Sequence, residues 1–374
     1  MTLAPGTQLE RYTLQESLGA GGFGITYRAW DNREEKAVAI KENFPAWLVQ
    51  RESGGGVRLI GSPEDFEWTQ RHFIEEARIL AKLSHPNIVR IYRAFACNGT
   101  AYFVMEYLNA TGLDKRVGAT FWTESTLLAL SKRLLDALGC VHKLGICHRD
   151  IKPANIMLRN VDNSPVLIDF GAAKSGPSYS EYTRGFVSMG YTAPEQMADP
   201  GNTSPSIDIY ALGATLYHLL TGAPPINASA RLIKDDLEPL QRRQDLLARF
   251  SQPLLASIDK ALALDSARRY SSAGQWLHAL QVCSSSLSFD PTPTPAPKPA
   301  PKPTPAPLPA VEFSWQKLFL YCFRVGFVFS TIIALSLLSP STEIHTLDGY
   351  ACPVFMLTGI GFVGVLYYRM RSGG

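Results

Sequence analysis

From Pro291 to Pro309 every second residue is proline, and no other feature so sharply limits what this 374-residue chain can fold into. Proline fixes φ and lacks the amide proton that helices and strand ladders need, so the run can join neither a helix nor a core and favours extended polyproline II. At about 3.1 Å per residue it would reach roughly 60 Å. With its flanks, over residues 283–317, it reads as a semi-rigid spacer between two different regimes. A ligand for a proline-binding domain is the alternative.

Before the spacer, Tyr12 to Val282 alternates short β-like runs with amphipathic helical stretches punctuated by Gly and Pro, as a mixed α and β domain would. Residues 1–11 read as a tail. After the spacer come two apolar stretches, Leu318–Leu338 and Tyr350–Tyr368, each close to the ~20 residues a helix needs to cross a bilayer. A buried helical hairpin is the competing reading. Arg324 lies near one end of the first stretch, where it can snorkel toward headgroups. The link from Ser339 to Gly349 carries Glu343 and Asp348 but no Lys or Arg, whereas Lys317, Arg369 and Arg371 flank the stretches outside it. The positive-inside bias therefore predicts two spans, a lipid bilayer as partner, and both ends in the cytoplasm.

Composition narrows the partners further. A net charge of +3, from 36 basic and 33 acidic side chains, gives no reason to expect nucleic-acid binding. The six cysteines are scattered without a C-x-x-C pair, which points to reduced, cytosol-facing thiols and away from a zinc site or disulfide framework. Met1 to Tyr12 lacks a basic patch followed by an apolar run, so no cleaved secretory signal is expected.

Four segments carry chemistry. Gly19-Ala20-Gly21-Gly22-Phe23-Gly24 lies between two β-like runs, where glycines let backbone amides approach phosphates; alone the pattern is weak, since it also opens dinucleotide-binding folds. Val38-Ala39-Ile40-Lys41 is a short apolar strand ending in a cation suited to α- and β-phosphate oxygens. Phe73, Glu76, Leu80 and Leu83 recur at helical spacing and put one acid on an apolar face, within possible reach of Lys41. Finally, His148-Arg149-Asp150-Ile151-Lys152-Pro153-Ala154-Asn155 precedes Asp169-Phe170-Gly171 and Ala193-Pro194-Glu195. The Ser53-Gly54-Gly55-Gly56 run reads only as a turn.

Taken in order, these motifs resemble the eukaryotic-like serine/threonine protein kinases, over Tyr12 to Val282. The resemblance implies an α+β, bilobal protein kinase fold, with a small β-rich lobe over about 12–108 and a larger helical lobe over about 109–282. It implies ATP with Mg²⁺, or Mn²⁺ in its place, and protein substrates. By similarity, Asp150 handles the substrate hydroxyl proton, Lys152 steadies the γ-phosphate, and Asn155 and Asp169 ligate the metal. Lys41, paired with Glu76, would hold the phosphates beneath the glycine loop. Thr26, Ala39, Met105, Glu106, Leu108 and Met157 would frame the adenine, with backbone groups of Met105–Leu108 reading its edge. Thr26 stands where the family usually has valine, adding a hydroxyl to an apolar wall, and Ser188 stands for a threonine while keeping its hydroxyl.

Other residues fit the scaffold. The resemblance makes His85 and His148 structural, Asp208 and Gly213 part of a buried helix anchoring the catalytic loop, and Arg269 a partner for Glu195. Arg149 is suited to bind a phosphate on the segment between Asp169 and Glu195, with Thr183 the first candidate and Ser178 and Ser180 the next. Trp47 to Trp68 is longer than the usual strand-to-helix connection and has no assigned role. The complete set Lys41, Glu76, Asp150, Asn155 and Asp169 favours an active enzyme over an inactive, kinase-like membrane scaffold. Similarity to bacterial members suggests an inner-membrane protein with its catalytic domain in the cytoplasm; a homodimer is left open.

Overall fold

Period-two alternation over the first hundred residues yields an antiparallel sheet with both faces covered. The computed structural model describes residues 2–170, 190–199 and 201–285. The chain divides into two units, residues 1–294 and 295–374, and every described residue belongs to the first. The proline run, both apolar stretches, Ser178, Ser180 and Thr183 lie outside the described residues. Among the described residues, no helix is long and apolar enough to cross a membrane.

The upper lobe contains β1 (Gln8–Leu9), β2 (Tyr12–Ala20), β3 (Gly24–Asp31) and β4 (Lys36–Asn43), then a separate hairpin of β5 (Val49–Arg51) and β6 (Val57–Leu59). β7 (Ile91–Cys97) and β8 (Thr100–Glu106) complete a six-stranded sheet in the order β1-β2-β3-β4-β8-β7. The segment before Tyr12 is part of this sheet, since Gly6 N–H donates to the Leu14 carbonyl at 2.8 Å and Leu14 N–H to that of Thr7 at 2.9 Å.

On β4, Lys41 lies opposite Thr26 and Phe103, while the next residue, Glu42, lies opposite Ile25 and Tyr102. Successive side chains of a strand point to opposite faces. Val38, Ile40 and Glu42 therefore join an outer core with Ile25, Tyr27, Tyr102 and Val104, whereas Ala39 and Lys41 face the cleft.

Helix α1 (Pro63–Leu80) starts where the Ser62 hydroxyl accepts from Asp65 N–H, with Pro63 at its first position and Glu64 and Asp65 in its first turn. All three features suit a helix N-terminus, whose amides lack partners and whose dipole attracts anions. Its buried residues Phe73, Glu76, Ala77 and Leu80 share one face, packed toward the sheet, and Phe73 meets Phe103 at a ring separation of 4.8 Å.

The lower lobe is helical. A three-stranded sheet of β9 (Ala110–Gly112), β10 (Ile156–Arg159) and β11 (Pro165–Leu167) lies against α2 (Glu124–His142). Then follow α3 (Pro194–Ala198), α4 (Pro205–Thr221), α5 (Ala228–Ile233), α6 (Gln244–Leu247), α7 (Gln252–Ala261) and α8 (Ala273–Ser285). α4 is buried nearly all round, which explains its weak amphipathicity: Ile207, Ile209, Leu212, Leu216, Leu219 and Leu220 are all enclosed. Each such side chain contributes about 1.5–3 kcal/mol on burial. Gly213 lets α7 approach, because a Cβ there would sit 2.9 Å from the Ala261 Cβ.

Candidate active site

A cleft of about 720 Å³ opens between the sheet and the lower lobe. All the residues singled out from the sequence for nucleotide, metal or catalytic contact line it, from Gly19–Gly24 and Thr26 through Lys41 and Glu76 to Asp150, Asn155, Met157 and Asp169. Residues separated by more than a hundred positions converge because β2, β3 and their turn supply Gly19–Gly24 and Thr26, β4 supplies Lys41, α1 supplies Glu76, and the segment bracketing β10 and β11 supplies Asp150, Asn155, Met157 and Asp169.

The glycine loop is the turn from β2 to β3. Gly21 N–H donates to the Gly24 carbonyl at 2.9 Å, closing the turn. Gly24 cannot be replaced without movement, since a Cβ would fall 2.4 Å from the Glu42 carbonyl oxygen, whereas Gly19 and Gly21 have open space above them. Glycine therefore serves strand packing at position 24 and access to the backbone at 19 and 21.

The Lys41 ammonium is ion-paired with the Asp169 carboxylate. Burial alone would lower the lysine pKa, but attraction by Asp169 and then Glu76 outweighs it and raises the pKa, so the ammonium stays charged. Glu76 thus contributes to the field at Lys41, as its helical position suggested, while the direct contact seen is with Asp169.

Two positions at the site have strained backbone. Arg149 and Asp169 have φ of 70° and 60°, in the left-handed region. Asp208 enforces the first of these: its carboxylate accepts from His148 N–H and Arg149 N–H, each at 2.8 Å, and from the His142 ring at 2.8 Å. Burial would raise the Asp208 pKa, but the His142 hydrogen bond, electrostatic attraction by His142 and His148, and the Arg149 amide together lower it. The anchoring helix expected from the sequence is therefore α4, with Asp208 as the atom-level anchor.

Asp150 is gripped from two sides. Lys152 Nζ lies 3.0 and 3.2 Å from its oxygens, and Asn155 Nδ2 donates to both its carboxylate and its backbone carbonyl at 2.8 Å. With its nitrogen committed there, Asn155 has its amide oxygen to offer a cation. Asp169 and Asn155 are hard oxygen donors, the kind Mg²⁺ takes. His148 is fully buried, its Nε2 3.1 Å from the Ile168 carbonyl and its ring against Phe170, a packing role as anticipated. His85 bridges Asp136 at 3.1 Å and accepts from Asn87 N–H, also structural.

Some functional placements were not legible in the sequence. Val89, Ile91 and Ile168 also line the cleft, but as ordinary apolar residues they carried no signal beyond position. Glu106 lines the cleft, but its carboxylate is committed to a bidentate pair with Arg159 at 2.7 and 3.2 Å and its N–H to the Arg90 carbonyl at 2.8 Å. His142, Cys147 and Asp208 cluster beneath the loop at metal-like spacing. Burial first, and the Asp208 charge second, push the Cys147 thiol up to about 12, and it donates to the Thr203 carbonyl at 2.9 Å. That is a hydrogen-bonded frame holding a neutral thiol, not a thiolate ligand set.

Glu195 and Arg269 pair bidentately at 2.6 and 3.0 Å, as the sequence suggested. Gln196 Nε2 donates to the Arg149 carbonyl at 3.0 Å, tying α3 to the catalytic loop.

Comparison with known proteins agrees with this geometry. A family model described as the protein kinase domain matches residues 12–283. Serine/threonine-protein kinase D of Synechocystis is 35% identical over 291 residues, covering 74% of this chain and 53% of its own length. The solved structure of PpkA-294 in its apo form is 33% identical with a TM-score of 0.66, over 75% of this chain and 99% of that one. Rad53 1–466 in complex with AMP-PNP is 25% identical with a TM-score of 0.54, over 72% of this chain and 65% of that one. The chain spans about half the length of the curated relatives it matches.

Proposed function

The chain belongs to the protein kinase family, and we propose that it is a serine/threonine protein kinase transferring the γ-phosphate of ATP to hydroxyls of protein substrates. The observation that carries this reading is the convergence of Lys41, Asp169, Asn155 and Asp150 at one end of a cleft whose other end is lined by Ala39, Met105, Leu108 and Met157. A planar apolar base suits the second end and a metal-bound triphosphate the first. The relative solved with AMP-PNP supports the same choice of ligand.

Phosphoryl transfer depends mainly on positioning and on neutralising spread negative charge. Lys41 meets phosphate oxygens, and the glycine loop, with open space at Gly19 and Gly21, lies over them. Asp169 and Asn155 would hold Mg²⁺, which would supply charge neutralisation. Asp150 accepts a hydrogen bond from the substrate hydroxyl and takes its proton, held in orientation by Asn155. Lys152, already against Asp150, balances charge as the hydroxyl oxygen attacks. Lys152 two places after Asp150 favours serine and threonine over tyrosine, in line with the names of the bacterial relatives.

The membrane reading rests on the sequence alone. Leu318–Leu338 and Tyr350–Tyr368 cross a bacterial inner membrane, and the spacer holds the catalytic unit in the cytoplasm. A phosphate on Thr183, paired with Arg149, orders the neighbouring segment and activates the enzyme. The inactive-scaffold alternative is disfavoured by the complete catalytic set.

The test is transfer of radiolabelled phosphate from Mg²⁺-ATP to a generic basic protein. Wild type should label seryl and threonyl residues, and Asp150→Asn and Lys41→Met should not. Undiminished labelling by either variant would remove the assigned roles.

A further inference from the structure

The long connection between β4 and α1 touches the glycine loop and the strand of Lys41, and leads directly into the helix of Glu76. Ala46 N–H donates to the Gly22 carbonyl and Phe44 N–H to that of Phe23, both at 3.2 Å, so the tip of the glycine loop is tied to the start of this connection. The Phe23 and Trp47 rings meet edge to face at 5.0 Å. Farther along, the Arg51 guanidinium reaches back to Glu42, the residue after Lys41, at 2.8 and 2.5 Å.

Glu42 has no solvent exposure, and it also accepts from the hydroxyls of Tyr27 at 2.9 Å and Tyr102 at 2.7 Å. Burial raises the pKa of both tyrosines, reinforced by the Glu42 charge, so both hydroxyls stay protonated and donate. Arg51 stacks over Phe44 at 4.6 Å and donates to the Gly55 carbonyl at 3.0 Å, which fixes the β5–β6 turn. The Leu3 amide donates to Tyr27 Oη at 3.1 Å, so the N-terminal segment closes over the same network.

The connection then hands over to α1. Ile60 N–H and Gly61 N–H both donate to the Leu48 carbonyl, at 2.8 and 3.1 Å, and a Cβ on Gly61 would strike the Leu48 side chain. Ser62, next in sequence, caps α1, the helix that carries Glu76. Asn43 on β4 adds a cross-tie, its Nδ2 donating to Thr69 of α1 at 3.3 Å.

We propose that residues 45–61 form a brace that sets the glycine loop, Lys41 and α1 in position for ATP. Arg51, acting through Glu42, and Trp47, acting through Phe23, are its positioning residues. A surface hairpin with no such role would not need a buried, bidentate ion pair with two tyrosine donors on the residue adjoining Lys41. Misplacing a phosphate-binding group by a fraction of its contact distance weakens binding of the triphosphate more than it alters the protein-substrate site. The proposal rests on the kinase reading, but one arm of its test does not.

The full chain, purified in detergent, is compared with Arg51→Met and Trp47→Leu in two assays. Equilibrium binding of a fluorescent ATP analogue with Mg²⁺ needs no phosphoryl transfer, and we expect Kd to rise about tenfold for Arg51→Met and about fivefold for Trp47→Leu. In steady state, KM for ATP should rise in parallel while KM for the basic protein substrate stays within about twofold. Arg51→Lys, which keeps the charge but not the fork, should recover part of the loss. Wild-type nucleotide affinity in folded Arg51→Met and Trp47→Leu would overturn the proposal, even with lowered melting temperatures, because the connection would then serve stability alone. Should Arg51→Met not fold, Trp47→Leu decides by the same criterion. A wild-type chain that binds nucleotide but transfers no phosphate would sink the kinase reading and leave the brace to be judged by affinity.

Discussion

Arg269→Met should be among the most destabilising single changes in the lower lobe. The Arg269 side chain has no solvent exposure and uses all five of its N–H groups: Nε to the Ala263 carbonyl, Nη1 to Glu195 and the Ser206 carbonyl, and Nη2 to Glu195 and the Leu264 carbonyl. Its guanidinium also lies over the Tyr210 ring at 4.9 Å. Burial would raise the Glu195 pKa, but the Arg269 hydrogen bonds, the Glu195 amide and the Arg269 charge outweigh it and hold that carboxyl below its ordinary value. Methionine fills much of the volume but leaves the Glu195 carboxylate, about one-fifth exposed, without its cation and with the Ser206 hydroxyl as a remaining donor at 2.9 Å. Removing one partner of a buried pair costs about 3–5 kcal/mol. For a domain this large, each kcal/mol moves Tm by about 2 °C, so a fall of roughly 6–10 °C is expected. Differential scanning fluorimetry of the wild type, Arg269→Met, Glu195→Gln and the double variant measures it. The double variant should melt no lower than Arg269→Met, because the penalty lies in the stranded charge. A shift under about 2 °C, or full additivity of the two single losses, would refute the reasoning.

Three further outcomes follow from the structure and the sequence. Gly213→Ala places a methyl 2.9 Å from the Ala261 Cβ and 3.3 Å from Leu262, and should cost about 1–3 kcal/mol by overpacking, read as a drop in Tm. Asp208 is held below its ordinary pKa, so its stabilisation is complete above the unfolded carboxylate value of about 3.9 and is lost as pH falls through its lower folded value. Asp208→Asn should therefore flatten the plot of Tm against pH below about 4, and equal slopes for both proteins would count against this anchor. Fusions of a cytoplasm-active reporter after Val282 and after Gly374 should both be active; a periplasm-active reporter at Gly374 would mean that only one apolar stretch crosses.

What the sequence determined by itself was chemistry confined to short windows. His148 to Asn155 and Asp169 with Phe170 were legible because, taken in order with the other motifs, they resemble those of the serine/threonine protein kinases. The apolar run Val38-Ala39-Ile40 likewise announced Lys41 as a cation at the end of a strand. Tertiary structure alone decided the partners of these groups. Lys41 meets Asp169, 128 positions away, and Asp208 reaches back 59 and 60 positions to fix the amides of Arg149 and His148. Glu42 is the sharpest case: beside a phosphate-binding lysine it reads as one more strand residue. Only the closure of a hairpin over the outer face of the sheet, with Arg51, Tyr27 and Tyr102 converging on that carboxylate, makes it a buried anion. A residue's type and its neighbours in sequence set which face it takes, but whether that face meets water or another element depends on chain segments that local pattern does not bring together.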